Sequence, residues 1–89
     1  MKAIVTVMAK DTVGIISYVS TLLAEREVNI MDMSQTLMQE YFTMIMLVEI
    51  PTERTDFEEL RAFLKAKGEE RNLVIRIQRE DIFNAMHRI

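Results

Sequence analysis

The chain is 89 residues long with 49% apolar and 28% charged side chains, which leaves room for one domain spanning residues 1–89 and excludes both a multidomain enzyme and a disordered polymer. Its lack of cysteine excludes a disulfide framework, a thiolate metal cluster and a cysteine nucleophile, and points to a cytoplasmic location. A net charge of -3 weakens attraction to phosphate, and no apolar run approaches the roughly 20 residues that cross a bilayer, so neither direct nucleic-acid binding nor a membrane partner is expected.

Residues 3–9, Ala-Ile-Val-Thr-Val-Met-Ala, are β-branched and apolar without helical spacing and predict a first strand. From Thr12 the period changes: Ile15, Val19 and Leu22, flanked by Ile16 and Leu23, form one stripe of a helix running to about Arg26. Asn29 to Gln39 and Tyr41 to Ile50 read as two strands whose short connection at Gln39-Glu40 joins antiparallel neighbours, and Pro51 ends the second. Thr55-Asp56-Phe57-Glu58 has a hydroxyl three residues before a carboxylate and predicts a helix start capped by Thr55. Phe57, Leu60, Phe63 and Leu64 supply that helix's stripe, with Gly68 as its terminator. Leu73 to Gln78 is a fourth strand with Leu73, Ile75 and Ile77 on one face, and a last short helix is read from Glu80 to about Arg88.

The order β-α-β-β-α-β predicts an α+β, ferredoxin-like sandwich: a four-stranded antiparallel sheet with both helices on one face. Such a sheet has a bare face, and here it is apolar whichever way the third strand turns. Phe42, Met44, Met46, Val48 and Ile50 alternate with Ile45 and Leu47. Five of the eight methionines, at 31, 33, 38, 44 and 46, fall in the central hairpin. Residues 1–51 carry 9 charged side chains against 16 in residues 52–89. A contact surface between copies is therefore expected in the first part, with Met31, Met33, Met44 and Met46 as its candidate oligomer interface.

Catalytic chemistry is not legible. His87 is the single histidine and sits near the end of the chain, no Walker loop, GxSxG or GxGxxG run occurs, and no cofactor, metal site or enzymatic activity is expected. The informative segment is Lys10-Asp11-Thr12-Val13-Gly14-Ile15-Ile16, where strand gives way to helix. A helix start offers unpaired N–H groups and a positive dipole end suited to a carboxylate or phosphate. The same residues also read as an ordinary N-cap, Asp11 or Thr12, followed by a packing glycine.

Asp11-x-x-Gly14-Ile15-Ile16, the helix ending Leu22-Leu23-Ala24-Glu25, and Val28-Asn29-Ile30-x-Asp32-Met33-Ser34-Gln35-Thr36 together resemble the ACT domain over almost the whole chain. Phe42-Thr43-Met44 and the ending from Glu80 to Ile89 look closest to small stand-alone ACT proteins, and the chain is also similar to the ACT portions of the glycine cleavage system transcriptional repressor. The resemblance implies a regulatory domain that senses a small molecule, most often an amino acid or similar zwitterion, and signals to a protein partner not named by the sequence. It also implies a homodimer or tetramer, commonly side by side, with effectors at the interface. By the same resemblance the effector site comprises Asp11, Thr12, Val13, Gly14 and Ile15 after the first strand, and Asn29 and Ile30 at the opening of the second. Amides near Gly14 would hold a ligand carboxylate, and Asp11 or Asn29 an ammonium group.

This chain departs from the family's loop in having Lys10 where related loops place glycine and Val13 where proline is frequent. Glu27 stands where a helix-ending glycine is common, at a cost of up to about 1 kcal/mol if left-handed. The competing expectation is an ACT scaffold without a ligand, serving as a protein interaction or assembly module.

Overall fold

The computed structural model describes residues 1–10, 13–51, 53 and 55–81. Six elements follow in order: β1 (Lys2–Ala9), α1 (Ile15–Glu25), β2 (Asn29–Met38), β3 (Tyr41–Glu49), α2 (Phe57–Glu70) and β4 (Val74–Arg79). The strands form one antiparallel sheet in the order β2-β3-β1-β4, the ferredoxin-like arrangement expected from the sequence. Glu80 and Asp81 continue as helix, and the rest of the helix expected to Arg88 lies outside the described residues.

Register fixes which residues share a face. Ala3 pairs with Val48, Val5 with Met46 and Ile77, and Val7 with Met44 and Ile75, and all of these are buried. They join Val19, Leu22 and Leu23 of α1 and Leu60 and Leu64 of α2 in one cluster, so both helices cover the same side of the sheet. The helices run antiparallel across it. Arg26 at the end of α1 pairs with Glu59 near the start of α2, and the Tyr18 hydroxyl near the start of α1 donates to the Lys67 carbonyl near the end of α2.

The parity of β3 corrects the expected interface. Met44 and Met46 are fully buried beneath the helices, so neither offers surface to a partner. Both parities of this strand are apolar, and pairing with Val5 and Val7 of β1 selects the even one. Ile45 and Leu47 instead face outward on the open side. Ile16, expected beside the α1 stripe, is exposed.

The helix ends differ from expectation in three places. α1 begins at Ile15 instead of Thr12, because Gly14 takes φ 73, ψ 2 and breaks the helical path. The cap of α2 is Asp56, whose carboxylate accepts from the amides of Glu58 and Glu59, and not Thr55. Gly68 does not terminate α2. It lies two residues inside the helix, where an added Cβ would meet the Leu73 carbonyl oxygen at 2.9 Å.

The two helices stop alike. At α1 the Val28 amide donates to Leu23 O and the Glu27 amide to Ala24 O; at α2 the Leu73 amide donates to Gly68 O and the Asn72 amide to Glu69 O. Glu27 and Asn72 take φ 59 and 58, and each precedes a buried apolar residue that seals the end. The left-handed geometry anticipated for Glu27 is thus present.

Candidate functional site

The end of α1 at Gly14 and the end of α2 at Arg71 meet on one side of the molecule and enclose a cleft of about 550 Å³. It is lined by Ala9, Lys10, Val13, Gly14, Ile15, Tyr18, Arg71, Asn72 and Leu73. Gly14 is the N-cap and has no side chain to cap with, so the first-turn amides of Ile15, Ile16 and Ser17 receive no bond from it. Among the described residues an added Cβ at Gly14 would meet nothing within 4 Å, and the glycine is required by its positive φ.

The facing end of α2 would ordinarily present carbonyl oxygens of the opposite polarity. Here they already have donors: Lys67 O accepts from Tyr18, Gly68 O from the Arg71 and Leu73 amides, and Glu69 O from the Asn72 amide. The Arg71 guanidinium lies 4.3 Å over the centre of the Tyr18 ring, which holds the cation at the cleft wall. Lys10 contributes a second cation, its ammonium 5.9 Å from the Tyr41 ring. Among the described residues no carboxylate lines the cleft. Two cations and a helix N-terminus on one apolar-floored cleft suit a small anion or the carboxylate end of a zwitterion.

Of the expected effector residues, Val13, Gly14 and Ile15 line this cleft, and Asp11 and Thr12 lie outside the described residues. Asn29 and Ile30 are elsewhere. Asn29 pairs with Glu49 and Glu49 with Lys2, at the far end of β1 from Ala9, which precedes the cleft loop. Seven residues of strand separate Lys2 from Ala9, roughly 23 Å at about 3.3 Å per residue. One chain does not bring Asn29 to Gly14. Reading the sequence also missed Tyr18, Arg71 and Asn72; the one available signal was Asn72, a residue type that favours the left-handed position closing a helix.

The expected interface residues also separate. Met31 is exposed at a β-bulge between Ile30 and Asp32 on the edge strand β2, Met33 is half-buried beside Met46, and Met44 and Met46 belong to the core. Leu37 and Met38, farther along β2, are more exposed than Met31. No helix among the described residues is long and apolar enough to cross a membrane.

The chain is similar to known proteins along its whole length. A UPF0237 protein of Clostridium acetobutylicum is 52% identical over 89 residues, covering 100% of both chains. The solved structure of an ACT domain protein from Streptococcus pneumoniae superposes with a TM-score of 0.84 at 47% identity, covering 93% of each chain. A solved structure assigned to a glycine cleavage system transcriptional repressor shares the fold, with a TM-score of 0.72 at 22% identity over 86% of this chain and 44% of that one. A family model described as "ACT domain" matches residues 2–78, and the chain belongs to the ACT domain family.

Proposed function

We propose that this ACT domain is a sensor of an amino acid or similar small zwitterion, which it binds by its carboxylate at the α1 N-terminus and reports through contacts with a second copy and a partner protein. The observation that carries this reading is the cleft itself: first-turn amides that Gly14 cannot cap, Lys10 and Arg71 converge there, and no carboxylate opposes them among the described residues. A zwitterion also needs an acceptor for its ammonium group, and the Asn29 side chain is the nearest match in the family pattern. The separation between Asn29 and Gly14 within one chain then has a structural solution. α1 and β2 both run the length of the sheet, so a second copy aligned antiparallel along the β2 edge sets its Asn29 end beside this chain's Met38 end, where Gly14 also lies. The effector site is shared between two chains.

A thermal-shift screen of the full chain against the common amino acids tests this. A ligand at a hundredfold excess over its Kd adds about 2.7 kcal/mol of stability, roughly ten degrees or more in a domain of this size. A selective shift that Asn29→Ala and Arg71→Ala each reduce is the expected result. No shift from any amino acid, or a shift untouched by both substitutions, would leave the ligand-free assembly module as the better reading.

A further inference from the structure

We propose that the face of the sheet opposite the helices, uncovered among the described residues, is a second self-association surface, on which another copy stacks face to face with its strands along the first's, β3 over β1 and β2 over β4. This surface is distinct from the β2 edge used above and does not depend on the ligand reading. Its residues follow from the register. Ile4, Thr6 and Met8 of β1, Ile45 and Leu47 of β3 and Val74 of β4 all point away from the helices, with Ile45 41% and Val74 45% exposed. Around Thr6, the apolar members make one strip along β1 and β3 that reaches the β4 edge at Val74, and a strip of this kind in contact with water favours burial.

The charges at its margins select the occupant and its orientation. Asp32 lies on the β2 side, opposite Leu47, and Arg76 on the β4 side, opposite Thr6. Three strand spacings, roughly 14 Å, lie between the two strands, too far for an ion pair within one chain. At the end of the face, Lys2 of β1 stands beside Glu49 of β3, whose carboxylate also pairs with the Met1 ammonium at 2.9 Å. The strand order β2-β3-β1-β4 has its midpoint between β3 and β1. A twofold axis along the strands at that midpoint carries β2 onto β4 and β3 onto β1. Asp32 of each copy then comes down over Gln78 of the other, one two-residue step along β4 from Arg76, Glu49 opposes Lys2, and Leu47 opposes Ile4. The other twofold in the plane, across the strands, would stack β2 on β2 and β4 on β4 and set like charge against like. The face is thus complementary to itself in one orientation, the property an isologous interface requires.

The area is sufficient. Four strands at about 4.8 Å and eight residues at about 3.3 Å give a face of roughly 19 by 26 Å, so two copies bury about 1,000 Å² together, the threshold for a specific interface. Sheets stacked in this way keep their strands within about 30° of parallel, consistent with an axis along the strands.

The test is the mass of the full-length protein by sedimentation equilibrium across a concentration series, with circular dichroism to confirm folding. Ile45→Lys, which charges the strip at an exposed site, and the single reversals Asp32→Arg and Arg76→Asp are each expected to weaken one association step at least tenfold. The combined Asp32→Arg, Arg76→Asp protein is expected to return to within about threefold of the parent. The β2-edge association and any ligand-induced thermal shift should persist in Ile45→Lys, which separates this proposal from the sensor reading. The proposal is overturned if all variants keep the parent's mass, or if the double reversal is no better than the single ones. It is likewise overturned if Ile45→Lys and a chain ending at Asp81 lose stability together with no change in mass, since the chain's own C-terminal segment would then cover this face.

Discussion

The Tyr18 hydroxyl donates to the Lys67 carbonyl at 2.9 Å, joining the first turn of α1 to the last turns of α2 across 49 residues of sequence. The same ring supports the Arg71 guanidinium at 4.3 Å, so one side chain both ties the helix ends together and positions a cation of the cleft. Tyr18→Phe removes the hydrogen bond and keeps the ring. It is expected to cost about 0.5–1.5 kcal/mol in urea denaturation without weakening binding at the cleft. Tyr18→Leu loses both, and its ligand affinity should fall as well. Equal behaviour of the two variants in binding would show that Arg71 does not need the ring.

The two glycines make opposite demands. Gly68 lies against Leu73 O and Ile75, and an added Cβ would stand 2.9 Å from a backbone oxygen that cannot move without disturbing β4. Gly68→Ala gains up to about 1 kcal/mol of helix propensity yet is expected to lose about 1–3 kcal/mol net through overpacking. Gly14 has open space among the described residues and a φ of 73. Gly14→Ala should cost about 1–2 kcal/mol by strain alone, and Gly14→Asn should recover part of that because asparagine tolerates the left-handed region. Gly68→Asn, by contrast, should be worse than Gly68→Ala. Denaturation midpoints of the four variants check this ordering, and recovery by asparagine at both positions would contradict it.

The start of α2 gives a sharper comparison. Asp56 caps the helix with bonds of 3.0 Å to the Glu58 amide and 3.4 Å to the Glu59 amide. Asp56→Ala is therefore expected to destabilise the protein by about 1 kcal/mol, and Thr55→Ala by much less. A larger loss at Thr55 than at Asp56, measured by the same denaturation, would restore the capping assignment that the sequence spacing suggested.

That spacing shows where sequence reading succeeds and where it stops. The alternation in β1 and β4 and the stripe of Val19, Leu22 and Leu23 announce their elements because one face of each is buried and the other is not. The spacing Thr55 to Glu58 is satisfied on paper by Thr55, but Asp56 stands one residue closer and its carboxylate takes the Glu58 amide together with that of Glu59. In β3 the two alternating sets are both apolar, so only pairing with β1 decides that Met44 and Met46 go inside. The cleft was half legible. Gly14 marks it locally, whereas Arg71 and Asn72 reach it only because the helices run antiparallel and bring residue 71 back to residue 18. Asn29 illustrates the converse: adjacency in a family pattern does not imply adjacency within one chain.

The position of β1 at the centre of the sheet has a consequence for synthesis. Its two hydrogen-bonding neighbours, β3 and β4, both come later in the chain, the last pairing residue being Arg79. At about 5–20 residues per second, β1 waits several seconds on the ribosome before its second edge can be covered. Val5 and Val7 remain without their full set of partners throughout that interval. The domain therefore closes in one late step, and a chain halted before β4 would emerge with its central strand still open to other chains.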